Sequence, residues 1–328
     1  MWAPVLAAAL TLVNTHTWIW GGPALNGPRV TWSSAAPTAV YSSRPVHRVW
    51  RAERVSVPPS VPDDPQFVYS VSQRITRLAS SGSTTAFIRT VELRRTLKNT
   101  PGGPLRAQPI RGELWVRHGT RFRRAAGGVG RAIVVDADVD GRSVIYAEDG
   151  ATNRVVLLRR GVLTSSPVVR YPCVRLAGRY AGWLEQNDAA ASLYALRTLV
   201  VYDLARRQVA LRLGPAPITD FDLAATGTVA FGEDPTPVGG PDGGIAWASV
   251  ADPTAHYLSG NAIPFALRLA GSRVAFFTRD PSGNSLLLKS LDGKNTRRFD
   301  AAYGGFDFDG RRIAYLQSPK VIAVARIP

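Results

Sequence analysis

Six times along this chain a charged residue and two mostly apolar ones lead into a tight turn and then a short strand ending in an aromatic. The copies are Arg77-Leu78-Ala79 leading to Phe87, Asp138-Val139-Asp140 to Tyr146, Arg175-Leu176-Ala177 to Trp183, Asp222-Leu223-Ala224 to Phe231, Arg268-Leu269-Ala270 to Phe276, and Asp307-Phe308-Asp309 to Tyr315. From charged residue to aromatic the offset is 8 in four copies, 9 in one and 10 in the first. The variation falls in the turn, where Asp140-Gly141, Ala177-Gly178, Thr226-Gly227, Ala270-Gly271, Asp309-Gly310 and the longer Ser80-Ser81-Gly82 each supply a glycine for the positive φ of a tight hairpin. Successive charged positions lie 61, 37, 47, 46 and 39 residues apart, close to the roughly 40 to 50 residues of a four-stranded propeller blade.

Each aromatic is followed by a loop of variable length and a second apolar run, such as Thr198-Leu199-Val200-Val201-Tyr202 or Ser285-Leu286-Leu287-Leu288. A last strand follows, as in Gln208-Val209-Ala210-Leu211-Arg212-Leu213, giving four strands per unit. The unit that opens at Asp307 has only 21 further residues, room for about three strands. Gln66-Phe67-Val68-Tyr69-Ser70-Val71, ahead of the first repeat, is therefore expected to supply the fourth and close the ring, which removes exposed sheet edges. The expectation is an all-β, six-bladed β-propeller of four-stranded blades over residues 66–328, closed by N-terminal and C-terminal strands.

The hairpins Asp309-Gly310-Arg311-Arg312-Ile313-Ala314-Tyr315 and Asp140-Gly141-Arg142-Ser143-Val144-Ile145-Tyr146 resemble the Asp-Gly hairpin followed by Ile-Ala-Tyr of TolB-like six-bladed propellers. That resemblance implies a binding scaffold, often in the cell envelope. The amino terminus fits such a location: Ala3 to Val13 is an apolar stretch too short to span a bilayer but within the range of a signal peptide. Residues 1–20 are thus expected to be a signal peptide or apolar leader, and 21–65, rich in Pro, Ser, Ala and Gly, a basic linker. The alternative location is the cytoplasm. The single cysteine, Cys173, excludes an intramolecular disulfide and reads as a small buried hydrophobe.

Charge is unevenly spread. Residues 1–131 hold 18 basic and 5 acidic residues, whereas 132–328 hold 22 and 19. A basic third of this kind could contact a polyanion or an anionic surface, yet no nucleic-acid module is present, so nucleic acid is not the expected partner. Asp136, Asp138 and Asp140, followed by Gly141, begin like a calcium loop. The twelfth position is Ala147, where such a loop needs Glu, and the same Asp-x-Asp recurs in other repeats as Asp220-Phe221-Asp222 and Asp307-Phe308-Asp309. These carboxylates are read as parts of the hairpins, with no metal and no cofactor expected. Gly-x-Ser-x-Gly, His-Glu-x-x-His and phosphate-loop patterns are absent.

The alternating charges form the candidate site. If the ring closes, Arg77, Asp138, Arg175, Asp222, Arg268 and Asp307 come to one level around the central channel, with an Asp on either side of each Arg. The leading functional expectation is a non-enzymatic, monomeric scaffold that binds a protein or cell-envelope component. The alternatives are a lyase or hydrolase with its site at the channel, and polyanion or surface binding through the basic N-terminal third.

Overall fold

Strand, turn, strand and aromatic recur seven times in the folded chain, one more than the charged repeat indicates. The computed structural model describes residues 10–14, 19–26, 28–35, 37–43, 46–58, 61, 66–98, 106–128, 130–187, 196–234, 243–260, 262–280, 283–302 and 304–328. The first strand, β1 (Leu10–Asn14), belongs to the last blade. Blade one is β2 (Ile19–Asn26), β3 (Arg29–Ala35), β4 (Thr38–Ser42) and β5 (His47–Arg51). Blade two is β6 (Phe67–Ser81), β7 (Thr84–Leu97), β8 (Arg106–His118) and β9 (Arg121–Gly127). Blade three is β10 (Ile133–Asp140), β11 (Ser143–Asp149), β12 (Asn153–Leu157) and β13 (Gly161–Ser166). Blade four begins with two short pieces, β14 (Val169–Arg170) and β15 (Val174–Ala177), both paired to β16 (Tyr180–Asn187), and continues through β17 (Arg197–Asp203) and β18 (Gln208–Ala216).

Blade five is β19 (Ile218–Leu223), β20 (Thr228–Glu233), β21 (Gly244–Ser249) and β22 (His256–Ser259). Blade six is β23 (Ala262–Ala270), β24 (Arg273–Asp280), β25 (Gly283–Ser290) and β26 (Thr296–Phe299). Blade seven is β27 (Phe306–Phe308), β28 (Arg312–Ser318) and β29 (Val321–Arg326), completed by β1, which runs antiparallel to β29 from Leu10 opposite Ala325 to Asn14 opposite Val321. All pairings within the blades are antiparallel. Among the described residues no helix is long and apolar enough to cross a bilayer.

Three expectations are corrected here. The propeller has seven blades rather than six, so the TolB-like resemblance holds for the four-stranded blade and not for the blade count. Residues 21–65, expected to be a linker, contribute most of blade one. Closure is made by β1, within the stretch expected to be a leader, and not by residues 66–71, which are the start of β6 and continue without a break into the first charged repeat. The missed copy is Ala24-Leu25-Asn26-Gly27 leading to Trp32, with the common offset of 8 and an Asn-Gly turn. Its first residue is alanine, so a repeat defined by charge passes over it.

The aromatic of every copy has the same task. Buried Trp32 packs against blade seven, Phe87 against blade one, Tyr146 against blade two, Trp183 against blade three, Phe231 against blade four, Phe276 against blade five and Tyr315 against blade six. Each hydrophobic cluster thus spans one interface between neighbouring blades, and the cluster containing Trp32, Leu25, Ala314 and Ile322 joins the last blade to the first. A strand's alternate residues face opposite sides of its sheet, so the opposite faces of a blade serve two different interfaces. Closure also brings backbones together at Gly22 and Gly305, where a Cβ on Gly22 would stand 2.6 Å from the Gly305 Cα. Only glycine permits that approach.

Removing residues 1–14 takes away β1 and re-exposes the apolar edge of β29. The deletion variant is expected to unfold at clearly lower urea concentration than the full chain, and an unchanged midpoint would contradict closure by β1.

Candidate functional site

The first strand of each blade faces the channel, and its side chains at the level of the repeat are Ala24, Arg77, Asp138, Arg175, Asp222, Arg268 and Asp307. Seven positions cannot alternate in sign around a closed ring. Ala24 takes the odd place, between Asp307 and Arg77.

The three channel aspartates bond mainly to backbone. Asp138 Oδ2 accepts from the Leu176 amide at 2.9 Å, Asp222 Oδ2 from the Leu269 amide at 2.7 Å, and Asp307 Oδ2 from the Leu25 amide at 2.7 Å. In each case the acceptor sits on one blade and the donor on the next, at the residue following the repeat's first position. Between blades three and four the arrangement extends to a ladder. Asp136 and Asp140, two residues either side of Asp138 on one face of the strand, accept from the Val174 and Gly178 amides at 2.9 and 2.6 Å. The candidate calcium ligands Asp136, Asp138 and Asp140 therefore spend carboxylate oxygens on backbone amides of the neighbouring blade. No group of three metal-ligating side chains occurs among the described residues.

Arg175 is the most heavily used cation. Only 2% of its side chain is exposed. Its Nη1 donates to Asp136 Oδ2 at 3.0 Å and to the Val174 carbonyl at 2.7 Å, its Nη2 donates to Asp220 Oδ1 at 2.6 Å, and its Nε lies 3.6 Å from Asp222 Oδ1. The guanidinium also lies 5.5 Å from the centre of the Phe221 ring. Burial disfavours the cation, but the carboxylates of Asp220, Asp136 and Asp138 outweigh it and hold the Arg175 pKa well above its usual value. Arg77 Nε lies 3.4 Å from Asp136 Oδ1 and donates to the Ala137 carbonyl at 3.2 Å. Arg268 Nε lies 3.4 Å from Asp307 Oδ1, and its Nη1 donates to the Leu267 carbonyl at 2.8 Å.

The six charges named from the sequence do line one channel, but the pairing differs from simple contacts with both neighbouring ring members. Asp136 and Asp220, one strand period before Asp138 and Asp222, make the closest carboxylate contacts to Arg175. The signal for them was the recurring Asp-x-Asp, since residues i and i+2 of a strand share a face. Cys173 is buried, as expected, and its thiol donates to Asp220 Oδ1 at 3.3 Å; burial raises its pKa well above the usual range.

Five carboxylates share this region with three guanidiniums, and burial makes full ionisation costly. Burial raises the Asp222 pKa to about 6, against the opposing pull of Arg268 and Arg175 and with a further push from Asp138. Asp138 and Asp307 are raised for the same first reason. The cavity remaining beside Arg77, Arg268, Gly22 and Gly305 measures about 170 Å³.

Blade two holds a second buried cluster that the sequence did not single out. Arg89 Nη1 bonds Glu113 Oε2 at 3.2 Å, while Arg89 Nε and Nη2 reach Gln73 Oε1 at 2.9 and 2.7 Å. Glu113 also accepts from Trp115 Nε1 at 3.1 Å and lies 3.5 Å from both Arg111 and Arg124. Desolvation lowers the Arg89 pKa despite Glu113.

These features define a closed seven-bladed β-propeller whose channel is lined by inter-blade ion pairs. By sequence, no protein-family description and no curated protein matches the chain. Among solved structures, a chain of the mitotic checkpoint complex aligns with a TM-score of 0.57 at 11% identity, covering 100% of this chain and 98% of that one. Sqt1 of Saccharomyces cerevisiae aligns at 0.54 and 10% identity, covering 98% and 99%. BamB of Moraxella catarrhalis aligns at 0.51 and 10% identity, covering 99% and 95%. At such identities the likeness is one of fold.

Arg175→Ala leaves several buried carboxylates without their cation and is expected to cost about 3–5 kcal/mol of stability. Adding Asp220→Asn should recover part of that loss in chemical denaturation; strict additivity would count against the network. A carboxyl whose pKa is higher in the folded than in the unfolded state binds its proton more tightly when folded, so its contribution to stability falls as pH rises from about 4 to 6. Asp222→Asn is therefore expected to gain stability relative to the parent chain between pH 4 and pH 7, by about 3 kcal/mol at most. A difference independent of pH would show that Asp222 titrates normally.

Proposed function

We propose that this chain is a non-enzymatic scaffold that binds a protein or cell-envelope component on the faces of its ring, outside the channel. The observation that carries this reading is the engagement of the channel charges with one another and with neighbouring backbone. A propeller rim presents many connections on a rigid frame, which suits recognition of a folded partner. The scaffold reading treats the chain as a monomer, since β1 completes the last sheet without a second copy. The TolB-like hairpins Asp140-Gly141 to Tyr146 and Asp309-Gly310 to Tyr315 support a place in the envelope. Asp138, Asp222 and Asp307, which an enzyme of lyase or hydrolase type would use as acid or base, each hold an amide of the next blade, which favours the structural role for them.

A second reading, polyanion binding, is favoured by one cleft between blades two and three. It measures about 490 Å³ and is lined by His118, Thr120, Arg121, Arg123, Arg124 and Arg159. Desolvation, together with Arg159 and Arg142, lowers the His118 pKa, in keeping with a positive local field. Arg121, Arg123 and Arg159 have no ion-pair partner among the described residues.

Affinity capture with the full chain, repeated at low and moderate salt, separates the two readings. The scaffold reading expects a partner that survives moderate salt and is retained by the triple variant Arg121→Glu, Arg123→Glu, Arg159→Glu. Polyanion binding expects capture of heparin that falls steeply with salt and is lost in that variant. Recovery of no salt-resistant partner would overturn the scaffold reading.

A further inference from the structure

Blade two is built to a different length from the rest. Its β6, β7 and β8 have 15, 14 and 13 residues, whereas the second strands of the other blades have 6 to 8. The surplus lies entirely at one end, where residues 67–73, 91–97 and 106–112 pair with one another beyond the level at which the other blades stop. At about 3.3 Å per residue this three-stranded tongue extends roughly 20 Å, from the face of the ring opposite the glycine turns of the repeat.

The inner edge of the tongue is open. The Lys98 amide donates to the Gln66 carbonyl at 3.0 Å, which makes Gln66 and Lys98 a hydrogen-bonded pair. Antiparallel ladders alternate, so Phe67, Tyr69, Val71 and Gln73 turn their amides and carbonyls away from β7. The Gln73 carbonyl confirms this direction, since it accepts from Thr38 Oγ1 at 3.2 Å. β6 pairs with no strand except β7, and no other backbone hydrogen bond engages Phe67, Tyr69 or Val71 among the described residues. An unpaired row of this length is what native sheets normally cover, shorten or charge.

Two chemical features accompany the edge. Phe67, Tyr69 and Val71 lie opposite Leu97, Arg95 and Leu93, so one face of the tongue is largely apolar, with the Arg95 guanidinium 3.4 Å from the centre of the Phe67 ring. The tongue and the residues at its base also carry Arg74, Arg94, Arg95, Lys98, Arg106 and Arg111 against two acids, Glu92 and Glu113, the latter 3.5 Å from Arg111. Glu92 is buried and is paired to Arg74 at 2.5 Å and Arg94 at 3.8 Å. A second copy of the chain would bring the same positive charge to the same edge, whereas an acidic strand would be attracted to it.

The geometry points to a docking site at the β6 edge for an extended acidic peptide segment of a partner protein, added as a further strand with its apolar residues over Phe67, Tyr69 and Val71. This inference rests on the scaffold reading and names the surface and the chemistry of the partner. Main-chain bonds to the exposed amides and carbonyls supply affinity, and the tongue's arginines select for acidic side chains.

The test uses the full chain and a fluorescent, end-capped peptide of alternating Glu and Val, read by anisotropy. Two further peptides carry N-methyl groups on every Val or on every Glu. Because a strand uses one edge for pairing, one of these should bind about tenfold more weakly or not at all, while the other binds like the parent. Val71→Pro removes an amide that faces away from β7, so the ladder survives; it should lower affinity about tenfold with an unchanged melting temperature. Equal binding of all three peptides, or no binding of any, overturns strand addition. Preferential binding to phosphatidylserine vesicles with no peptide binding assigns the tongue to a lipid surface instead, and self-association abolished by Val71→Pro assigns it to a second copy. If the peptide fails while capture still returns a salt-resistant partner, only the edge proposal falls; if capture returns none, the scaffold reading falls as well.

Discussion

Every blade of this protein is completed by its neighbour. The aromatic at the fourth position of each second strand fills the interface with the preceding blade, so no blade buries its own apolar surface alone, and the last can be covered only if it meets the first. Ring closure is therefore a condition for the core and not a decoration upon it. The meeting of blade seven with blade one, through Trp32, Ala314 and Ile322, carries the same kind of contact as the other interfaces.

Polar groups follow the same neighbour-to-neighbour logic. An inner strand has one edge bonded to its own blade and the other turned to the channel, where its amides need acceptors. Asp138, Asp222 and Asp307 provide them from the preceding blade. Once the carboxylates are placed there, burial demands cations, and Arg175, Arg268 and Arg77 answer that demand. Removing a single member is costly because it strands the rest. A channel organised in this way has its chemistry directed inward, which turns attention to the outer surfaces and to the open edge of blade two as places of recognition.

Much of this was legible in the sequence, and the failures have specific causes. The hairpin with its glycine turn and its aromatic at a fixed offset identified the blade. The count fell short because Ala24 lacks the charge that marked the other copies, although Asn26-Gly27 and Trp32 keep the turn and the spacing. Residues 66–71 alternate like a strand, and they are one; no glycine or proline separates them from Arg77, so nothing in the pattern distinguishes a separate closing strand from the beginning of a longer one. The channel level of the six charges was readable from the repeat. The partners Asp136 and Asp220 were visible only as a recurring Asp-x-Asp, whose meaning depends on which face of the strand meets the next blade. Arg89 and Glu113 are direct cross-strand partners on the neighbouring strands β7 and β8, but no repeat announces the pair.

The central claim is that carboxylates of one blade hold the inner-strand amides of the next. Site-resolved hydrogen exchange of the Leu25, Val174, Leu176 and Leu269 amides tests it most directly. These amides are predicted to exchange only through unfolding of the ring, at rates matching the buried strands of the core, and Asp138→Ala should release Leu176 selectively. Exchange of these amides in the native chain as fast as in exposed turns would contradict the account.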